Sequence, residues 1–191
     1  MKKYTIIAGV NGVGKSSMTG LLVDSDYELG VIIDTDMITS ELGGDRIKGG
    51  KEAIRLINDC IARGISFTQE TTLSGKRTIK TINNARENNY YICMYYVGVS
   101  SSEESIARIA NRVRKGGHNI PAEDVIRRYA HRIDDLLRVM SYCNEIFFYD
   151  NENGFVRVGE YHNGKLYDAG RYMPQWYIEI KNALMFNGKD R

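Results

Sequence analysis

The chain has 191 residues and a net charge of +2, from 26 Lys and Arg against 24 Asp and Glu. A length of this order fits one domain whose core hides roughly 70% of the unfolded surface. The charge balance excludes a polybasic nucleic-acid tail and an acidic solvating one, and 42% apolar with 26% charged residues excludes a disordered chain.

Tyr4–Ala8 is a short apolar run, rich in β-branched residues and followed by glycine, and predicts a first strand. Ser16–Val23 follows as a helix. Val31–Asp34 is a second strand. Lys48–Arg63 carries Ala53, Ile54, Ile57 and Ile61 at helical spacing. Ser66–Gln69 is a third strand, Arg77–Asn88 a mixed helical stretch and Tyr90–Val97 a fourth strand. Ser102–Lys115 places Ile106, Ile109, Ala110 and Val113 on one stripe, with Ser101 or Ser102 as cap and acids in the first turn. Pro121–Tyr142 reads as one helix, with proline near its first turn and Glu123 and Asp124 after it. Glu145–Tyr149 is a fifth strand.

Short continuous apolar strands suit a sheet covered on both faces. Alternation of strand and helix predicts that the sheet is parallel. The expected architecture is α/β, a three-layer sandwich around a five-stranded, mostly parallel sheet. In the tail, Phe155–Tyr161 and Leu166–Tyr167 flank His162-Asn163-Gly164-Lys165 and read as a hairpin, because Asn-Gly suits a type I′ turn. Pro174–Met185 reads as a closing helix. The tail carries no visible chemistry and reads as an edge decoration. One unit is expected over residues 1–191: a core over 1–151, a lid over about 102–138, and the hairpin and helix over 152–191.

Gly9-Val10-Asn11-Gly12-Val13-Gly14-Lys15-Ser16 matches G-x-x-x-x-G-K-[ST] in full, between a predicted strand and a predicted helix. Successive backbone N–H groups must wrap an anionic phosphate there, and glycine permits the close approach and the positive φ values. The helix start adds its positive dipole end. Lys15 is expected to neutralise the β- and γ-phosphates, and the Ser16 hydroxyl to ligate Mg²⁺. Gly9, Asn11, Gly12, Val13, Gly14, Lys15, Ser16 and Ser17 are the expected nucleotide-binding residues of a P-loop NTPase fold, with ATP and Mg²⁺ bound. A chance match is expected about once in 100 chains of this length.

Asp34-Thr35-Asp36 closes the second strand, where carboxylates point toward the ligand crevice of an open α/β sheet. One of them would take a proton from an attacking hydroxyl; the plainer reading is a pair of turn formers. Thr68-Gln69-Glu70-Thr71-Thr72-Leu73-Ser74-Gly75 ends the third strand with hydroxyl, amide and carboxylate groups that suit sugar or nucleoside hydroxyls, or merely cap the next helix. Arg108, Arg112, Arg114, Arg127, Arg128, Arg132 and Arg138 flank Gly116-Gly117-His118-Asn119. Glu and Asp in the same stretch nearly balance them, so a nucleic-acid stripe is disfavoured. A lid whose arginines reach transferring phosphate fits better, with three or four of them in ordinary surface ion pairs. His118 reads as a surface residue or cap. There is no N-K-x-D guanine motif. No four-residue apolar run ends in Asp-Glu, and Phe147-Phe148-Tyr149-Asp150 comes too late to serve. These absences favour a small kinase over a GTPase or an ATPase motor.

Ala8-Gly9-Val10-Asn11-Gly12-Val13-Gly14-Lys15-Ser16, Ile33-Asp34-Thr35-Asp36, Phe67-Thr68-Gln69-Glu70-Thr71-Thr72-Leu73-Ser74-Gly75, Gly116-Gly117-His118-Asn119-Ile120-Pro121 with Arg127-Arg128-Tyr129, and Tyr149-Asp150-Asn151 together carry a resemblance. Over roughly residues 4 to 151 the chain resembles the zeta toxin family, P-loop kinases of UDP-N-acetylglucosamine, and within it the short stand-alone bacterial branch. The resemblance implies ATP-dependent phosphorylation of a sugar hydroxyl on UDP-N-acetylglucosamine or a related UDP-sugar. It implies Asp36 as general base and Lys15 on the phosphates. Arg114 and Arg127 match best the family's two phosphate-facing arginines, with Arg112 and Arg128 as alternatives near the substrate. Asp34, Glu70, Thr71 and Thr72 are expected around the sugar nucleotide. A toxin role would bring an antitoxin protein as partner. The rival readings are a kinase for another small-molecule hydroxyl, such as an antibiotic or nucleoside, and a nucleotide-gated binding module without transfer.

Neither a nucleic-acid partner nor a membrane partner is expected. The longest apolar runs, such as Ile92–Val99, fall far short of the about 20 residues that cross a bilayer. Met1-Lys2-Lys3-Tyr4 runs straight into the first strand without a cleavage site, so no signal peptide is expected. Cys60, Cys93 and Cys143 are odd in number and far apart, which suits reduced, buried thiols in the cytoplasm.

Overall fold

The structure, a computed structural model, describes residues 1–187; the last four positions of the expected tail, 188–191, lie outside the described residues. One sheet organises the chain. Its strands are β1 (Lys3–Ala8), β2 (Val31–Ile33), β3 (Phe67–Thr71), β4 (Tyr91–Gly98), β5 (Glu145–Asp150), β6 (Val156–His162) and β7 (Lys165–Asp168), in the order β2-β3-β1-β4-β5-β6-β7. The first five of that order pair in parallel. All five therefore end at one edge, and the loops that follow them gather there.

Among the described residues the sheet has seven strands rather than five. The hairpin is not an appendage: β6 pairs antiparallel along β5, and β7 along β6. Without it the open side of β5 would leave a row of unpaired backbone groups. The Asn-Gly turn has the expected geometry, with Asn163 at φ +52° and Gly164 at φ +75°.

The helices are α1 (Lys15–Asp24), α2 (Thr35–Glu41), α3 (Arg46–Arg63), α4 (Arg77–Glu87), α5 (Ser102–Arg114), α6 (Ala122–Ala130), α7 (Arg132–Met140) and α8 (Gln175–Asn187). Two of these correct the sequence reading. The short α2 was not expected; Asp34 starts it by accepting from Asp36 N at 2.8 Å and Met37 N at 3.3 Å. Pro121–Tyr142 is two helices, because the chain breaks at His131. The Arg132 guanidinium lies 3.9 Å from the Tyr129 ring centroid and donates to Tyr129 O at 2.9 Å, which fixes the bend. Helix α6 is thereby separated from α7, whose Leu136, Val139 and Met140 enter the core.

Helices cover both faces of the parallel part. One face packs Ile6, Phe67, Ile92, Met94 and Phe148 against α3, α4, α7 and α8. The other packs Ile7, Tyr95 and Val97 against Met18 and Leu22 of α1. Cys60, Cys93 and Cys143 are all buried and unbonded, and burial pushes the Cys143 thiol up to about 12. Among the described residues no helix is long and apolar enough to cross a membrane.

Candidate active site

The loop between β1 and α1 wraps as its glycines require. Gly9, Gly12 and Gly14 stand at φ +141°, +81° and +97°. A side chain at Gly12 would also meet the Ser105 carbonyl carbon at 3.1 Å. Lys15 Nζ folds back over the loop and donates to Gly9 O and Val10 O, both at 3.1 Å. Burial lowers the Lys15 pKa; the carboxylates of Glu70, Asp36 and Asp34 oppose that shift, and Arg112 adds to it. An anionic ligand in this loop would favour the charged form of Lys15 and oppose the shift. A cavity of about 160 Å³ sits over the loop, bounded by Lys15, Ser16 and Ser17 on one side and by Asp36, Arg108 and Arg112 on the other.

Glu70, at the carboxyl end of β3, faces the same loop. Its Oε2 accepts from Ser16 Oγ at 2.9 Å and its Oε1 from Thr19 Oγ1 at 2.7 Å. Burial raises the Glu70 pKa and Asp34 adds to the rise, while the Thr19 and Ser16 hydrogen bonds oppose it. The sequence reading set Glu70 beside the acceptor. The structure joins it to the phosphate loop as well, because β3 is the immediate neighbour of β1.

A cleft of about 340 Å³ opens beside the loop, lined by Asp34, Asp36, Glu70, Thr71, Thr72 and Arg128 among others. Gln69 and Ser74, from the same polar run, line it too, as does Arg77, which the sequence did not single out. Thr72 and Ser74 share a hydrogen bond at 2.7 Å, and Leu73 between them is held at φ +61° with only 2% exposure. Burying Leu73 anchors a turn that its backbone would otherwise resist. A second cleft of about 450 Å³ lies between α2 and α6, with Arg46, His118 and Arg128 on its walls. His118 is exposed, as a surface residue, and it borders this cleft.

The two aspartates have separate positions. Asp34 is occupied as the cap of α2. Among the described residues no hydrogen bond engages the Asp36 carboxylate, and Asp36 lines the phosphate cavity and both clefts. Asn11 lines all three as well, and its Oδ1 accepts from Arg128 Nη1.

The arginines of α5 and α6 divide. Arg112 reaches the phosphate cavity and donates to His118 O at 2.8 Å, and Arg128 reaches both clefts. Arg114 bonds to Asn111 on its own helix, and Arg127 pairs with Asp124 at 2.6 Å; neither lines a cavity. The stripe of helix α5 decides this: Arg108 and Arg112 are four residues apart and share a face, which Arg114 does not.

No family model matches the chain. An uncharacterised protein of Haemophilus influenzae is 35% identical over 130 residues, which is 65% of this chain and 90% of that protein. The chain belongs to the same family as that protein. Among solved structures, the PezAT chromosomal toxin–antitoxin system of Streptococcus pneumoniae matches with a TM-score of 0.68 at 15% identity, over 100% of this chain and 87% of that one. An AvrRxo1-ORF1:-ORF2 complex with ATP matches with a TM-score of 0.67 at 14% identity, over 96% of this chain and 63% of that one. A kinase from Chloroflexus aurantiacus matches at 0.54 and 17% identity, over 66% and 79%. The fold is that of the zeta toxins, a P-loop kinase fold.

Proposed function

We propose that this protein transfers the γ-phosphoryl group of ATP to a hydroxyl of a small molecule, with UDP-N-acetylglucosamine or a related UDP-sugar as acceptor. The observation that carries the reading is the position of Asp36, a carboxylate without a hydrogen-bond partner among the described residues, which borders the phosphate cavity and both clefts. A general base for phosphoryl transfer has to stand where acceptor hydroxyl and phosphate meet.

In this reading the loop amides and Lys15 hold the β- and γ-phosphates. Asp36 Oδ takes the acceptor proton as the acceptor oxygen bonds to the γ-phosphorus, and the bond to the β-phosphate oxygen breaks to release ADP. Arg112, from the cavity wall, and Arg128, from the clefts, stabilise the charge on the moving group. The placement of Arg112 and Arg128 favours them over Arg114 and Arg127 in that role. Ser16 with Glu70 beside it offers hard oxygen donors of the kind Mg²⁺ takes, the rest coming from phosphates and water. Bound there, Mg²⁺ would neutralise charge on the β- and γ-oxygens. Positioning and charge supply most of the rate, since phosphoryl transfer asks little covalent work of the protein.

The acceptor cleft is rich in hydroxyl, amide and carboxylate groups, which supports a polyhydroxy ligand. Likeness to the PezAT toxin–antitoxin system supports a toxin role with an antitoxin partner as part of the proposal. The proposal also takes the chain as one kinase unit over 1–191 with a lid near 102–138, in keeping with the continuous sheet, and as cytoplasmic, in keeping with the free buried cysteines.

The test is a transfer assay with ATP and Mg²⁺ against a panel of UDP-sugars, read by mass, with Asp36→Asn alongside. One phosphate gained on UDP-N-acetylglucosamine, and lost in the variant, supports acceptor and base together. Transfer only to another acceptor, such as an aminoglycoside or a nucleoside, keeps the reaction and overturns the UDP-sugar. ATP bound with no transfer to anything leaves a nucleotide-gated binding module.

A further inference from the structure

The last helix reaches the nucleotide loop through three consecutive residues. Asp150, at the end of β5, is a buried carboxylate with 2% exposure, and no salt bridge engages it among the described residues. It accepts from the Trp176 indole Nε1 at 2.7 Å, from Tyr172 OH at 3.1 Å and from Glu152 N at 3.2 Å. Both aromatic donors come from the segment after the hairpin. Asn151, next in the chain, donates its Nδ2 to Val13 O at 2.8 Å, inside the nucleotide loop, and its backbone N to Gly98 O at 3.0 Å. Asn151 also closes over Gly14, where an added Cβ would stand 2.5 Å from Nδ2. Glu152 accepts from Ser100 N at 3.1 Å and Ser100 Oγ at 2.8 Å.

Trp176 is placed to set the position of this triplet. Its ring lies flat on Gly98, where a Cβ would meet Cζ2 at 2.7 Å, and Gly98 is the register partner of Asp150. A void of only about 10 Å³ separates Trp176 from Val10 and Val13, so the underside of the loop rests on packed atoms. Buried carboxylates need their hydrogen bonds, and a shift of Trp176 would leave Asp150 short of a donor.

We propose that Trp176 is a positioning residue for nucleotide binding: through Asp150 it holds Asn151 against Val13 O, so a helix beyond the hairpin sets how well the phosphate loop is preorganised. The proposal rests on the nucleotide reading above for its functional consequence, and on the two hydrogen bonds for its geometry. A preformed loop binds phosphate without an ordering cost, and a loosened loop incurs that cost on binding.

The test uses the full chain with Asn151→Ala, Trp176→Phe, their double variant, and Tyr177→Phe as control. Tyr177 sits on the same helix, and its hydroxyl contacts Tyr167 O and Asp168 rather than the triplet. Trp176→Phe keeps an aromatic ring at the position and removes the Nε1 donor together with part of the indole's volume, so the double variant with Asn151→Ala, not the single loss, reports the coupling. Amide exchange over residues 9–16 is read without ligand, and ATP affinity is read by calorimetry. Asn151→Ala and Trp176→Phe should each speed exchange in the loop and weaken ATP binding by about fivefold, and the double variant should be no worse than either. Tyr177→Phe should change neither readout. Additive losses in the double variant, equal losses in Tyr177→Phe, or unchanged loop exchange in Trp176→Phe would each overturn the proposal. Loss of ATP binding in the wild type would sink the nucleotide reading instead, while the exchange measurement still decides the strut.

Discussion

Ser16 and Glu70 are hydrogen-bonded across 54 positions of chain, Oγ to Oε2 at 2.9 Å, and Thr19 holds the other carboxylate oxygen at 2.7 Å. Two adjacent parallel strands bring them together, β1 ending in the loop that carries Ser16 and β3 ending in Glu70. The contact puts Glu70 on the wall of the cavity over the loop as well as on that of the neighbouring cleft.

Glu70 carries a pH signature. Burial raises its folded pKa above the unfolded value, so folding favours the protonated form. That contribution is fully present below the unfolded pKa, about 4.3, and is lost as pH rises through the raised folded pKa. Glu70→Gln removes it. Between about pH 4 and pH 7 the ligand-free variant should lose less thermal stability than the wild type loses. The same variant should bind Mg²⁺ with ATP more weakly. Melting curves across pH, and calorimetry with and without Mg²⁺, check the two halves. A steeper stability loss in the variant would count against the burial argument.

Asp36→Asn should keep the fold and ATP affinity and lower transfer by on the order of a hundredfold or more. Asp34→Asn should behave differently. Asparagine also caps helices, so α2 stays in place and transfer should fall far less. Comparing the two by single-turnover rate separates base from cap. Equal losses would remove the distinction between them.

Arg112→Ala should slow transfer by about a hundredfold, because it takes a cation from the phosphate cavity. Arg114→Ala removes a contact to Asn111 on the helix surface and should cost less than about threefold. Steady-state kinetics on both variants decides between the lid faces. A larger loss for Arg114 would restore the assignment made from the sequence motif.

Gly49→Ala should destabilise the chain by about 1–3 kcal/mol. Its Cβ would stand 2.8 Å from Thr39 Cα, where α3 crosses the α2 that carries Asp36. Thr39 cannot yield without moving α2, so transfer should fall with stability. Gly20→Ala on α1 meets nothing within 4 Å and should stabilise by about 0.5–1 kcal/mol. Calorimetric melting of both variants tests the contrast. A stable Gly49→Ala would mean that the α2–α3 crossing is loose.

Local signals carried the parts of this molecule whose physics is local. The phosphate loop was legible because its glycines answer a backbone requirement within eight residues. The Asn-Gly turn was legible for the same reason, and parallel strands followed from alternating apolar runs. Tertiary structure decided what depends on neighbours distant in sequence. The sheet order brought Glu70 to Ser16, and the pairing of β6 on β5 turned an expected decoration into part of the sheet. The face of α5 put Arg112, and not Arg114, on the wall of the cavity over the loop, and the Arg132 contact with Tyr129 split one expected helix into two. Trp176 and Asp150 are 26 positions apart and carry no motif, yet their hydrogen bond is buried beneath the loop. A motif records what one segment needs of its own backbone; which segments share a site is set by strand order and burial, which no single segment contains.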